Sequence, residues 1–143
     1  MNILLIDDEL LFLTPITHCL KKSEYGVLEC DSPLKAMQLV ETNKFDCIII
    51  DYSMPEMNGI EFVKWIRHHS IDKIRDTPVL LLTGWEEMEI VKEAYDEGIS
   101  LFRTKADILR NPQGILQAIS TAIAMNETHR VTDKIAIAFK KDI

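Results

Sequence analysis

The sequence predicts an α/β fold, a doubly wound five-stranded parallel sheet with five helices and a C-terminal tail. Short apolar runs, such as residues 3–6 and 47–50, have the length and composition of strands buried on both faces of a sheet. Between these runs, apolar residues recur at helical spacing. Strands that alternate with helices are typical of right-handed βαβ units, and such units build a parallel sheet covered by helices on both sides.

The first two units of this pattern occupy residues 3–43. A strand at residues 3–6 precedes a helix at about residues 9–22, and a second strand at residues 27–30 precedes a helix that ends near residue 43. Asp31 or Ser32 is a good N-cap for the second helix, with Pro33 in its first turn. The residues predicted to face the core are Phe12, Ile16, Cys19, Leu20, Ala36, Leu39 and Val40.

The later units follow the same pattern. The third strand ends at residue 51, and helices are predicted at about residues 59–69, 86–98 and 112–125. Strands at residues 79–82 and 100–103 separate them, the first of these after a polar link of about eight residues. A domain is therefore predicted over residues 1–125, with residues 126–143 as a tail or linker. In the tail, Ile135, Ile137 and Phe139 alternate as in a strand, but Ala136 and Ala138 fit a helix equally well.

Composition and charge limit the class of protein. The chain has 143 residues, 47% of them apolar and 27% charged, as in a soluble globular domain. No apolar run approaches the roughly 20 residues that span a bilayer. The start lacks the positive region of a signal peptide, so the cytoplasm is the expected location and no membrane association is expected. The three cysteines lack metal-like spacing and are expected to be buried free thiols.

The net charge is −7, and residues 1–126 contain 20 acidic and 12 basic residues. An acidic surface does not neutralise phosphates, so this segment is not expected to bind nucleic acid.

Reactive side chains follow the predicted strands at the points where they end. They are Asp7 and Asp8 after the first strand, Asp51 at the end of the third, Thr83 after the fourth and Lys105 after the fifth. Each alone is more often a cap, a turn residue or a solvated charge. Because the carboxyl ends of parallel strands meet at one edge of a sheet, these five side chains are expected to converge there.

Such a cluster has a definite chemistry. Neighbouring carboxylates raise one another's pKa unless a cation neutralises them, and Mg²⁺ binds carboxylates together with phosphate oxygens. A carboxylate can also act as the nucleophile and become an aspartyl phosphate. An ammonium group and a metal ion would then stabilise the negative charge of the transition state.

These residues stand in stretches that resemble the receiver domain of two-component response regulators, over about residues 1–125. The resemblance implies a flavodoxin-like fold. The stretches that carry it are Ile3-Leu4-Leu5-Ile6-Asp7-Asp8-Glu9, Ile49-Ile50-Asp51-Tyr52-Ser53-Met54-Pro55, Met57-Asn58-Gly59, Leu82-Thr83 and Phe102-Arg103-Thr104-Lys105.

The resemblance implies a phosphorylation-dependent switch. Asp51 would accept a phosphoryl group from a sensor histidine kinase or a phosphotransfer protein in a phosphorelay. Asp8, Asp51 and the backbone carbonyl of Ser53 would bind Mg²⁺ directly, and Asp7 would act through water. Such a protein is an interaction module. At most it catalyses its own phosphorylation and slow dephosphorylation.

The resemblance also implies how the switch would work. Thr83 and Phe102 correspond to the family's switch pair, which changes the surface of the fourth helix, the fifth strand and the last helix. Ser53 and Trp85 occupy the positions that tune attack by water on the acyl phosphate. The family usually has a cis proline after the lysine, but here the residue is Ala106. A non-proline cis bond costs roughly 2.5–4 kcal/mol, so this bond is expected to be trans.

Two other functions compete with this interpretation. A phosphatase of the haloacid-dehalogenase kind also has an aspartate nucleophile, but it requires a second acid two residues later, where this chain has Ser53. The second competing function is that of a receiver that signals without being phosphorylated. The cognate kinase, the downstream output and the completeness of the chain are left open, and a homodimer that involves the tail is a further hypothesis.

Overall fold

Five parallel strands form one sheet. The computed structural model describes residues 1–84 and 88–141, with the side chains of residues 139–141 left out. The strands lie in the order β2-β1-β3-β4-β5. Their bounds are β1 Asn2–Ile6, β2 Gly26–Cys30, β3 Cys47–Asp51, β4 Val79–Thr83 and β5 Leu101–Thr104. The predicted parallel sheet is confirmed, with β2 and β5 at its edges.

The described residues form seven α-helices around this sheet. They are α1 (Thr14–Lys22), α2 (Pro33–Thr42), α3 (Gly59–Arg67), α4 (Asp72–Arg75), α5 (Met88–Asp96), α6 (Lys105–Arg110) and α7 (Gly114–Lys141), and a 3-10 helix (Leu10–Leu13) precedes α1. The predicted start of the fourth long helix, near Glu86, lies outside the described residues.

The core has two layers, one on each face of the sheet. Alternate strand residues point to opposite faces, so Leu4 and Ile6 pack with α2, α3 and α5, while Ile3 and Leu5 pack with α1, α6 and α7. Every residue of β3 and β4 is buried. This arrangement is the predicted doubly wound fold.

Two helices begin with side-chain caps, of which the first was predicted. The Ser32 side chain accepts a hydrogen bond from the Lys35 backbone at the start of α2, where Pro33 is the first helical residue. Asn58 and Glu61 form a reciprocal capping box at the start of α3. These caps satisfy backbone N–H groups that have no partner within the helix.

The first helix differs from its prediction. The chain forms a 3-10 turn at Leu10–Leu13 before α1 begins, and Leu13 is buried whereas Phe12 is 65% exposed. The prediction that Phe12 faces the core was wrong, because helical spacing counted back from Ile16 does not hold through the tighter turn. Cys19 is only partly buried, whereas Cys30 and Cys47 are buried; all three are free thiols.

Two short helices were not predicted. The polar link before β4 contains α4, and α6 begins directly after β5. Thr104 is the N-cap of α6 and accepts a hydrogen bond from the backbone N–H of Asp107 at 3.2 Å. The bond between Lys105 and Ala106 is trans, as expected, since the described residues contain no cis peptide bond.

The last helix continues through the segment predicted as a tail. α7 runs from Gly114 to Lys141, so the helical alternative for this segment is correct and the strand alternative is wrong. Asn126 is its last buried residue, and residues 127–138 are exposed. Within the described part of the chain, no helix combines the length and the hydropathy needed to cross a membrane.

Candidate functional site

The carboxyl edge of the sheet gathers the predicted polar residues. Asp7 directly follows β1 and is fully buried, while Asp51 and Thr83 end β3 and β4 and are 5% and 3% exposed. Lys105 is the first residue of α6, directly after β5. Asp8 is exposed at the mouth of this cluster.

Lys105 connects the two buried carboxylates. Its Nζ atom lies 2.8 Å from Oδ2 of Asp7 and 3.3 Å from Oδ1 of Asp51. The other oxygen of Asp7 accepts a hydrogen bond from the backbone N–H of Glu9 at 2.8 Å. A single ammonium group thus holds two carboxylates together in a site that is largely closed to solvent.

The electrostatics of this cluster are unbalanced. Burial, together with the negative charges of Asp7 and Asp8, raises the pKa of Asp51 to about 6 against the opposing effect of Lys105. Burial alone would lower the pKa of Lys105, but the hydrogen bond to Asp7 and the charges of Asp51 and Asp7 raise it above its usual value. Lys105 is therefore charged, and Asp51 is ionised at neutral pH at an electrostatic cost.

The acidic residues fit a divalent cation. One carboxylate oxygen each from Asp7, Asp8 and Asp51 lies within 4.8 Å of the others. The cluster contains three acidic groups and one lysine, so the site has a surplus of negative charge. Oxygen donors of this kind are the ligands that Mg²⁺ prefers. This cluster could hold a metal ion.

The local sequence explains how Asp51 is placed. Asp51 pairs with Leu82 in the register of β3 and β4, and Tyr52 donates its backbone N–H to the carbonyl of Leu82 at 2.9 Å. Gly59 begins α3 against this strand end, where an added Cβ atom would lie 2.7 Å from the carbonyl oxygen of Asp51. The glycine therefore permits close approach of the helix to the strand that carries Asp51.

The predicted switch residues lie on the neighbouring strands β4 and β5. Thr83 is opposite Thr104 in the register of β4 and β5, and Phe102 is partly buried against the core layer that contains α5. Ser53 is exposed two residues beyond Asp51. Trp85, the other position predicted to tune attack by water, lies outside the described residues.

A contact at Phe102 was not predicted. The hydroxyl of Tyr95, on α5, accepts a hydrogen bond from the backbone N–H of Phe102 at 3.1 Å. β5 is an edge strand, and this N–H lies on its open side, where its partner comes from outside the sheet. The sequence shows that Tyr95 lies on the helix before an edge strand. It does not show which backbone N–H would donate a hydrogen bond to the tyrosine hydroxyl.

Comparison with known protein families gives one match that covers most of the chain. Residues 3–120 match the model of the response regulator receiver domain. The chain is 30% identical over 107 residues to the cyclic di-GMP phosphodiesterase response regulator RpfG of Xanthomonas campestris, which covers 73% of this chain and 28% of that protein. It is 26% identical to the transcriptional regulatory protein SrrA of Staphylococcus aureus, over 90% of this chain and 53% of SrrA. The chain thus spans about a quarter to a half of these relatives.

Solved structures share the fold. The chemotaxis protein CheY4 of Vibrio cholerae superposes with a TM-score of 0.73 at 29% identity, over 82% of this chain and 97% of that one. A CheY-like receiver domain protein of Methanospirillum hungatei superposes with a TM-score of 0.75 at 21% identity, over 90% of this chain and 97% of that one.

Proposed function

The chain belongs to the response regulator receiver domain family, and we propose that it is a phosphorylation-dependent switch whose phosphoacceptor is Asp51. The phosphoryl group would come from a phosphohistidine of a sensor histidine kinase or a phosphotransfer protein. The observation that carries the proposal is the contact of one lysine, Lys105, with both Asp7 and Asp51 at the carboxyl edge of the sheet. Asp51 is the carboxylate of this cluster that ends a central strand.

The transfer is a nucleophilic displacement at phosphorus. A carboxylate oxygen of Asp51 forms a bond to phosphorus while the bond between phosphorus and the donor imidazole nitrogen breaks, and that electron pair returns to the imidazole. The nucleophile must be ionised, and the Asp51 pKa of about 6 meets this condition at neutral pH. Lys105 is charged and close enough to offset the negative charge of the transferred group.

The acidic cluster would hold Mg²⁺. We assign Asp8, Asp51 and the backbone carbonyl of Ser53 as direct ligands, and Asp7 as a group that acts through water. When bound, the ion would offset the charge of the carboxylates and of the incoming phosphoryl oxygens. The surplus of acidic groups supports this assignment, since the cluster contains three carboxylates and a single lysine.

The response would be carried by Thr83 and Phe102. We propose that the Thr83 hydroxyl moves toward the phosphoryl group, that the ring of Phe102 turns inward, and that the surface of α5, β5 and α7 changes as a result. Ser53 and Trp85 would tune attack by water on the acyl phosphate. Slow dephosphorylation by this route would be the further reaction that the chain catalyses on itself. The receiver domain would occupy residues 1–125 in the cytoplasm, with residues 126–143 as an appended segment.

Phosphorylation by acetyl phosphate tests the assignment of Asp51. With Mg²⁺ present, intact-mass analysis should show one added phosphoryl group on the wild type and none on Asp51→Asn. Asp46→Asn is the matched control, because Asp46 precedes the same strand at the opposite edge of the sheet. This control should be labelled like the wild type, and undiminished labelling of Asp51→Asn would contradict the proposal.

Titration with Mg²⁺ tests the metal site separately. Asp8→Ala removes a direct ligand, so Mg²⁺ affinity should fall at least about tenfold and Mg²⁺-dependent phosphorylation should be lost. Asp31→Ala is the control, since Asp31 is an exposed aspartate that pairs with Lys35. Isothermal titration calorimetry measures both variants, and an unchanged affinity in Asp8→Ala would place the ion elsewhere.

A further inference from the structure

Lys105 lies at the point where the chain leaves the sheet and turns into α6. Thr104 is the last residue of β5 and Lys105 is the first residue of α6, so the side chain that contacts Asp7 and Asp51 starts at a change of backbone direction. β4 lies between β5 and the strand that carries Asp51, and neighbouring strands are about 4.8 Å apart. The ammonium group reaches across β4, so a change in backbone direction at Lys105 would withdraw it from both carboxylates.

α6 is too short to fix this direction by itself. It has six residues, whereas isolated helices shorter than about 12–15 residues are marginal in water. Residues 104–111 contain no proline that would set a backbone angle. The start of this helix therefore depends on noncovalent contacts of its first turn.

A capping hydrogen bond and a buried side chain hold the first turn of α6. The backbone N–H of Asp107 donates to Oγ1 of Thr104 at 3.2 Å, which makes Thr104 a side-chain N-cap. Ile108 is 4% exposed and packs in the core layer that contains α1 and α7. Ile108 holds the helix against the domain, and the Thr104 cap fixes the residue at which the helix begins. Lys105 lies inside the turn that this hydrogen bond closes.

We propose that Thr104 is a positioning residue for phosphoryl transfer, which caps α6 and thereby holds Lys105 against both Asp7 and Asp51. This inference rests on the proposed function of Asp51 as the phosphoacceptor. Without the Thr104 oxygen, the N–H of Asp107 loses its acceptor within the protein. The first turn of α6 then frays, and Lys105 leaves the carboxylates because it is the first residue of that turn.

Acetylation of Lys105 by a low concentration of acetic anhydride tests the positioning without a phosphorylation step. The Lys105 side chain is 18% exposed, so it should react more slowly than exposed Lys44 in the same sample, as peptide mass spectrometry measures. Thr104→Val keeps a branched side chain that strands accept but has no oxygen, and Lys105 should then react about fivefold faster. Thr104→Ser keeps the acceptor and should keep the protection. Equal reactivity of Lys105 in the wild type and in Thr104→Val would overturn the proposal.

The rate of labelling by acetyl phosphate with Mg²⁺ tests the consequence for the reaction. Thr104→Val should slow the labelling of Asp51 about fivefold, whereas Thr104→Ser should stay within about twofold of the wild type. Ser32→Ala is the matched control, because it removes a cap of the same kind from α2 at the same edge of the sheet, and it should be labelled at the wild-type rate. Because Thr104 acts through Lys105, Thr104→Val should have no further effect in a Lys105→Met background.

The outcomes distinguish this inference from the proposed function. A wild type that is labelled at a residue other than Asp51 contradicts the proposed function, while the acetylation of Lys105 still decides the role of Thr104. Labelling of Thr104→Val at the wild-type rate refutes the positioning role. The same holds if Thr104→Val slows labelling equally with and without Lys105, because the effect would then pass through another residue, such as Thr83 opposite Thr104 in the sheet.

Discussion

The carboxyl ends of the strands form one edge of the sheet and their amino ends form the opposite edge. Each of these two edges holds a buried polar cluster, and the two clusters are built in opposite ways. At the carboxyl edge, Asp7 and Asp51 share Lys105 and repel each other. At the amino edge, Arg67 and Asn126 bind mainly backbone carbonyl oxygens. Only the first cluster places like charges beside each other.

Arg67 is the centre of the amino-edge cluster. Its Nε atom donates to the carbonyl of Gly98 at 2.9 Å, and Nη1 donates to the carbonyls of Arg75 and Thr77, both at 2.7 Å. Burial lowers the pKa of Arg67 to about 10, so it is charged at neutral pH. One side chain therefore joins the end of α3 to the turn before β5 and to the link before β4.

Asn126 extends this cluster to α7. Its Oδ1 atom accepts from the hydroxyl of Ser100 at 3.1 Å and from Arg67 at 3.4 Å, and its Nδ2 atom donates to Asp76. Ser100 in turn accepts from the backbone N–H of Val79 at 3.0 Å.

The two clusters have opposite effects on the stability of the fold. The groups of the amino-edge cluster form hydrogen bonds with one another and with backbone carbonyls. These bonds stabilise the fold and hold α7 in place at Asn126. At the carboxyl edge, ionised Asp51 lowers the stability of the fold until a cation offsets the negative charge around it. Repulsion of this kind is typical of functional sites, where proteins give up stability for chemistry.

Removing Arg67 should have the largest effect on stability. Arg67→Ala leaves the carbonyls of Gly98, Arg75 and Thr77 without their donor, so the free energy of unfolding should fall by about 3 kcal/mol or more. Arg110→Ala is the control, because the Arg110 side chain is 78% exposed, and it should change stability by less than about 0.5 kcal/mol. Urea unfolding measures both, and equal losses would contradict the assigned role of the amino-edge cluster.

At the carboxyl edge, in contrast, removing a charged side chain should raise the free energy of unfolding, and the size of this gain should depend on pH. The pKa of Asp51 is raised from 3.8 to about 6, so the folded state holds this proton more tightly than the unfolded state does. The resulting stabilisation is fully present below about pH 4 and is lost as pH rises through 6. Without divalent cations, Asp51→Asn should therefore gain stability relative to the wild type as pH rises, by at most about 3 kcal/mol.

Chemical unfolding at pH 4 and pH 7 in the presence of a chelator measures this gain. Addition of Mg²⁺ at pH 7 should reduce the difference by stabilising the wild type. A difference that is the same at both pH values would contradict the assigned electrostatics of Asp51.

The hydrogen bond between α5 and β5 should have the smallest effect. Tyr95→Phe removes the acceptor of the Phe102 N–H, and water can replace it at the exposed edge strand, so about 0.5 kcal/mol of stability should be lost. Amide exchange at Phe102 should become faster, while exchange in β1 should be unchanged. Unchanged exchange at Phe102 would show that this bond does not persist in solution.

The sequence predicts the carboxyl edge better than the amino edge. The apolar runs of the strands are visible in the sequence, and parallel strands bring the residues at their carboxyl ends to one edge. These residues are Asp7, Asp51, Thr83 and Lys105. Arg67 was not predicted, because its partners are carbonyl groups, which every residue has. Helical spacing misplaced Phe12, since a 3-10 turn has a different period. The part of α7 beyond Asn126 was ambiguous, because Ile135 and Ile137 alternate as in a strand whereas Ala136 and Ala138 fit a helix.

Mapping the phosphoryl group tests the central claim most directly. After reaction with acetyl phosphate and Mg²⁺, borohydride reduction converts an aspartyl phosphate to homoserine, which peptide mass spectrometry locates. Homoserine at position 51, with Asp7 and Asp8 unmodified, is the predicted result. Homoserine at position 7 or 8 with Asp51 intact, or a phosphoryl group retained on a histidine, would contradict the assignment of Asp51 as the phosphoacceptor.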